Sequence, residues 1–271
     1  MPIMTSQQIN KYFDNFGDSE ITFTKEVIRA TGLLPKHVFL KAAGYHLPCI
    51  IYSVSMKSAK VIANVSSDMH EQIRHANNLV SLRFAFKESD KIDPLMFFVS
   101  ARVTGYNPYN SEKPNLNFIS IDFTQRPPDD LIAILGQILD AKFMSQKRKE
   151  ERIIINADSV KKLGVKAKSA SVYIQGVPRT CIVRDLSFSG AKVILAGVAK
   201  FLQNKAAALH IDTIEKGQIQ IEGQVIRNET VEGRKDLVAL AIKFNEEKIP
   251  IEYKMILNDY FKQKKLKNGS Y

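Results

Sequence analysis

A chain of 271 residues exceeds what one small domain needs and suits two, while 45% hydrophobic and 25% charged residues exclude a disordered chain. The net charge of +11 is uneven: residues 1–127 hold 14 Lys and Arg against 11 Asp and Glu, whereas 128–271 hold 25 against 17. The larger surplus places positive potential in the second half and favours a phosphate-bearing partner there.

Residues Ser6–Phe16 put Ile9, Tyr12, Phe13 and Phe16 at helical spacing, which predicts a short amphipathic helix. Short strand patterns follow at Val38–Leu40, Cys49–Val54, Lys60–Val65, Leu79–Phe86, Phe97–Thr104 and Asn117–Phe123, many bounded by Gly, Pro, Asn, Asp or Ser. Asp68 with Glu71 three residues later reads as the capping box of a small helix. Arg126-Pro127-Pro128-Asp129-Asp130 interrupts the strands, since proline cannot extend a ladder and acidic residues suit a helix start. Leu131, Ile132, Leu135, Ile138 and Leu139 then share one helical face up to about Phe143, followed by the charged run Lys147–Arg152.

The second half returns to strands at Ile153–Ile155, Lys168–Ile174, Thr180–Leu186, Ala191–Leu195, Ala208–Ile214, Gln218–Asn228 and Leu237–Phe244. A closing helix from about Pro250 carries Tyr253, Ile256, Leu257 and Tyr260 on one face and runs into the basic tail Lys262–Lys267. An internal repeat links the halves. Set beneath each other at an offset of 132, residues 49–63 and 181–195 are identical at seven of fifteen positions. The expected fold is mainly β with flanking helices: two small antiparallel barrels of one type, 1–127 and 148–271, joined by a helical linker and hinge over 128–147.

The opening residues Met1–Gln8 show no basic stretch before an apolar one, and no run approaches the roughly 20 apolar residues of a membrane helix. The expected location is therefore the cytoplasm, without membrane insertion. Cys49 and Cys181 each lie in an apolar run and read as small core residues. The signatures of phosphate-binding loops, serine nucleophile elbows, zinc proteases and Cys-x-x-Cys redox sites are missing, and the five histidines form no cluster. Neither an enzyme nor a metal site is expected.

Two motifs carry the chemistry. Arg148-Lys149-Glu150-Glu151-Arg152 reads Arg-x-x-x-Arg, and Asp185-Leu186-Ser187-Phe188-Ser189-Gly190 reads Asp-x-Ser-x-x-Gly at a strand end. The second pattern arises by chance in roughly one chain in fifteen of this length. Together, over about 145–248, these residues resemble the PilZ family. Val225-Ile226-Arg227 and Ala241-Ile242-Lys243-Phe244 agree with that likeness, although Ala241 stands where the family usually has Gly. The two-domain plan resembles the YcgR-like flagellar-brake and PlzA types, whose first domain is a degenerate PilZ-like barrel.

The resemblance implies a receptor for the second messenger cyclic di-GMP, as a ligand rather than a cofactor. It assigns binding to Arg148, Arg152, Asp185, Ser187 and Gly190, with Lys147 at a position that influences whether one nucleotide or a pair is held. The chemistry is consistent: a guanidinium grips phosphate in bidentate fashion and reads guanine O6 and N7, while an ionised Asp accepts from guanine N1–H and N2. Ser187 offers a hydroxyl to phosphate or base, and Gly190 permits close backbone approach or a positive φ. To bring both arginines over Asp185 and Ser187 the hinge must fold back on its barrel, and its like charges are expected to keep it mobile until ligand phosphates neutralise them. Ordering it is then expected to change the arrangement of the two domains and to present a surface to an unidentified protein partner.

At the motif positions the first copy carries Ser53, Ser55 and Ser58, and its upstream Arg29 has no second arginine four residues away. The first barrel is therefore expected to have lost the ligand. The alternative function is a nucleic-acid-binding regulator using the basic hinge and second half, although no strand shows an RNP-like basic–aromatic pattern.

Overall fold

The computed structural model describes residues 4–88, 91–110, 112–113, 115–166, 170–197, 202–215 and 217–268, with the backbone alone at 235 and 266–268. The start of the expected strand Lys168–Ile174 and the side chains of Leu266 and Lys267 in the expected tail lie outside these. The described chain divides into two compact units, 1–139 and 140–271.

Unit one comprises α1 (Ser6–Phe16), β1 (Ile21–Thr22), α2 (Lys25–Thr31), β2 (Phe39–Ala42), β3 (Tyr45–Val54), β4 (Ser58–Asn64), α3 (Ser67–His75), β5 (Leu79–Phe86), β6 (Leu95–Pro108), β7 (Leu116–Phe123) and the start of α4 (Asp129–Lys147). The order β2-β3-β4-β7-β6-β5 closes on itself, because β2 pairs with both β3 and β5, giving a six-stranded antiparallel barrel. Alternation builds it: Cys49 and Ile51 point inward on β3 while Ile50 and Tyr52 face out, and Leu40, Leu82, Phe84, Ile119 and Ile121 fill the interior.

Unit two repeats the plan with the end of α4, β8 (Ile153–Ile154), α5 (Ala157–Leu163), β9 (Ser171–Ile174), β10 (Val177–Leu186), β11 (Gly190–Ala196), β12 (Ala206–Asp212), β13 (Gln218–Val231), β14 (Arg234–Phe244) and α6 (Ile251–Asn268). Its barrel closes in the order β9-β10-β11-β14-β13-β12 around Val172, Leu209, Ile221, Val225 and Leu240. The protein is thus mainly β, two closed barrels with flanking helices.

The repeat is legible atom by atom. Ile21 pairs with Val54 as Ile153 pairs with Leu186, and the bulge between Ile51 and Ser53 returns between Val183 and Asp185, each shifted by 132. Both β2–β3 and β9–β10 turn through two left-handed residues, Ala43–Gly44 (φ 47° and 85°) and Gln175–Gly176 (φ 50° and 81°). Such a pair matches the twist of the strands it joins.

Three features depart from the sequence reading. Strand β1 and the two-turn helices α2 and α5 were not expected, because each helix buries only two residues, too few to show a period. Their caps are nonetheless well formed: Thr24 and Asn156 accept at the N-termini, and Gly32 and Gly164 close them at φ 72° and 62°. In α3 the cap is Ser66, whose Oγ accepts from Met69 N–H at 3.3 Å, and Asp68 is the second residue of the helix. Finally, α4 runs to Lys147 rather than stopping near Phe143. Its first part belongs to unit one, where a Cβ at Gly136 would fall 2.3 Å from the Tyr12 ring of α1. Its last part belongs to unit two, where Asp140 accepts from Asn258 of α6.

Candidate functional site

The Asp-x-Ser-x-x-Gly residues occupy the end of β10, a tight turn and the start of β11. The bulge at Val183/Asp185 turns Asp185 out of the barrel wall, where its side chain keeps 13% exposure. Ser187 instead points inward. It is fully buried, its N–H donates to Gly190 carbonyl at 2.8 Å, and its Oγ accepts from Gly190 N–H at 3.1 Å. The hydroxyl expected to meet a ligand therefore builds the turn in this structure. Gly190 resolves the alternative left by the sequence: a Cβ there would lie 2.4 Å from Ile242 carbonyl oxygen, so the glycine serves the close approach of β11 to β14.

Five residues carry the Arg-x-x-x-Arg segment from α4 to β8. Arg152 reaches Asp185 in an ion pair, with its own side chain 47% exposed. Arg148 lies back against α6, its guanidinium 5.1 Å from the Phe261 ring centroid and 3.4 Å from the Glu151 carboxylate. Phe261 in turn packs on Phe188 of the motif turn, ring centroids 5.9 Å apart. Lys147 is exposed at the end of α4 and makes none of these contacts.

Between the arginines, Lys149 pairs with Glu246 and holds that carboxyl below its ordinary range, while its carbonyl accepts from Ser189 N–H at 3.2 Å. The hinge was expected to be kept mobile by its own positive charges until a ligand neutralised them. It is folded onto the turn, because Glu151, Glu246 and Asp185 neutralise Arg148, Lys149 and Arg152.

Sequence reasoning missed the support beneath the motif. Tyr253 of α6 is buried and donates to the Ser187 carbonyl at 2.8 Å; burial, then the nearby Asp185 charge, push its phenol well above the ordinary range. Sequence reasoning named Arg227 only as agreeing with the family likeness and missed Lys192; the two oppose Ala241 from either side across β11–β14–β13 and share Glu229, at 3.4 Å for Lys192 and 3.1 Å for Arg227. Strand alternation was the signal for Lys192, since Ala191 and Val193 point inward. The site thus gathers guanidinium and ammonium groups on a barrel's outer wall, each paired with a carboxylate, Asp185 among them, a chemistry suited to an anion that also bears N–H donors. Among the described residues no three His, Cys, Asp or Glu gather as a metal site requires.

Two domain models and several known proteins match this chain. The PilZN3 domain model matches residues 7–142 and the PilZ domain model matches residues 146–263. A Treponema denticola protein described as a cyclic di-GMP binding protein is 43% identical over 262 residues, 96% of this chain and 83% of that one. Among solved structures, Borreliella burgdorferi PlzA in complex with cyclic di-GMP is 28% identical over 94% of this chain and 99% of that chain, with a TM-score of 0.43. Escherichia coli YcgR in complex with cyclic di-GMP is 12% identical over 98% and 97%, with a TM-score of 0.30.

Proposed function

The chain belongs to the PilZ family, with a PilZN3 domain ahead of its PilZ domain, and from that premise we propose that it is a cytoplasmic receptor for cyclic di-GMP. The observation that carries the reading is the Arg152–Asp185 pair: two motifs thirty-three residues apart meet on one wall of the second barrel. The 43% identical relative described as a cyclic di-GMP binding protein supports the same ligand.

Arg148 and Arg152 grip the phosphates and guanine O6/N7 edges, Asp185 accepts from guanine N1–H and N2, and Lys147 stands beside the clasp. Ser187 and Gly190 act by holding the turn that aims Asp185. Binding has to release Arg152 from Asp185 in part and draw Arg148 from Phe261, so the nucleotide exchanges internal partners for its own. Because Arg148 directly follows α4, that exchange is the route by which the ligand changes the domain arrangement and presents a surface to a protein partner.

Calorimetry with cyclic di-GMP, cyclic di-AMP and GTP tests the assignment. Selective binding of cyclic di-GMP is expected, and Arg148→Ala or Arg152→Ala should each cost at least about 2 kcal/mol, roughly 30-fold in affinity. Near-native affinity in the double variant would remove the clasp from the site. A steep salt dependence on polynucleotides, with no cyclic di-GMP binding, would favour a nucleic-acid regulator instead.

A further inference from the structure

The offset of 132 that aligns the barrels also aligns the segments before them, where sequence identity is too low to reveal it. Since β1 pairs with β3 in the register by which β8 pairs with β10, Glu20 occupies the place of Arg152 and Phe16 that of Arg148. Ser53 stands at Asp185, and Ser53 Oγ donates to Glu20 where Arg152 donates to Asp185, the same pair of places with donor and acceptor exchanged. The contact survives while its charges are replaced: an exposed carboxylate sits where the second barrel has a guanidinium.

The surrounding frame is retained closely. Phe23 N–H to Tyr52 carbonyl is 2.8 Å against 2.9 Å for Ile155 to Arg184, and Ser55 N–H to Ser58 carbonyl matches Ser187 to Gly190 at 2.8 Å. Each preceding segment also returns to its turn at the equivalent carbonyl, accepting from Met56 N–H at Gly17 and, one residue further along the turn, from Ser189 N–H at Lys149, both 3.2 Å. Lys60 occupies the place of Lys192, paired with Ser53 in the ladder as Lys192 is with Asp185.

We propose that the first barrel is an intact nucleotide-site frame closed to cyclic di-GMP by three side chains, with Glu20 the specificity-determining residue and Phe16 and Ser53 its accessories. A phosphate reaching this wall meets a carboxylate at the clasp, finds no guanidinium at position 16, and offers guanine N–H groups to a hydroxyl instead of an anion. The proposal rests on the reading of the second barrel as the cyclic di-GMP site.

The test uses the full chain carrying Arg148→Ala and Arg152→Ala, so that the second site is silent. Adding Phe16→Arg, Glu20→Arg and Ser53→Asp should restore saturable cyclic di-GMP binding, at least about tenfold tighter than in the parent double variant, with GTP giving no such gain. The converse exchange, Arg152→Glu with Asp185→Ser in the otherwise native chain, should lower affinity at least about 100-fold while melting like the native protein. Should the triple exchange fail to fold, Glu20→Arg alone in the same double variant decides the matter, a gain in cyclic di-GMP binding being expected and no gain overturning the inference. A folded triple exchange without gain overturns the inference while native binding leaves the second-barrel site standing; native affinity in the converse exchange removes Arg152 and Asp185 from that site and overturns both. A native chain that binds no cyclic di-GMP overturns the proposed function itself, and this inference with it.

Discussion

Tyr253 shows how one buried side chain supports a site it never faces. Its hydroxyl holds the Ser187 carbonyl, and its ring meets Phe244 edge-on at 5.7 Å, so the motif turn is fastened to α6. Tyr253→Phe should cost about 1 kcal/mol of stability, the net worth of one such hydrogen bond. Burial raises its folded pKa above the unfolded value of about 10, so its contribution is complete below that pH and is lost as pH rises beyond it. The buried thiols act in the same direction: Cys181 is pushed up from 9.0 to about 11 and Cys49 to about 12, so their loss begins near pH 9. Thermal melts should therefore be flat from about pH 7 to 8 and fall above about 9, more shallowly in Tyr253→Phe beyond pH 10. Identical alkaline profiles in the two proteins would show that Tyr253 is not held neutral by the fold.

At the scale of elements, two of the glycines that permit close approach bear on the site differently. Gly190 lets β11 lie against β14, and a methyl group there would sit 2.4 Å from a backbone carbonyl that cannot move without breaking the ladder. Gly190→Ala should destabilise by about 1–3 kcal/mol, read in urea titration, and weaken nucleotide binding indirectly by shifting the turn that aims Asp185. Gly136 does the same for α1 on α4, where the obstacle is the Tyr12 ring. Gly136→Ala should destabilise without changing affinity for cyclic di-GMP, which calorimetry on the same two variants would distinguish. The pair thus separates a packing glycine inside the site from one outside it.

For the whole molecule, the division of α4 matters most. Its first part closes unit one and its last part belongs to unit two, so a fragment cut at either end of the helix keeps it for one barrel only. A fragment ending at Lys147 is expected to fold and bind no cyclic di-GMP, whereas one beginning at Pro128 should bind with nearly the affinity of the full chain. Measurable binding by the first fragment would contradict the closure of its frame by Glu20. In the full chain, saturating cyclic di-GMP should change the small-angle scattering profile if, as proposed, the ligand draws Arg148 from Phe261. Superimposable profiles would mean that the signal leaves the receptor by another route.

The sequence by itself determined the strand pattern, the duplication and the two motifs, because each rests on local order: alternation of period two, a constant offset, and fixed spacings. Residues 49–63 and 181–195 betray the repeat since both build the same bulged hairpin edge. Only the tertiary structure decided which motif groups face outward. Ser187 and Gly190 read as ligand groups, yet one is spent on the turn and the other on the approach of β14, facts that depend on strands distant in sequence. The counterpart of Arg152 in the first half is an acid with no resemblance to it, and Glu20 becomes visible only through the ladder that seats it on Ser53. Phe261 and Tyr253 belong to the site because α6 folds back across the motif turn, a placement set by burial of its apolar face rather than by any spacing in the chain.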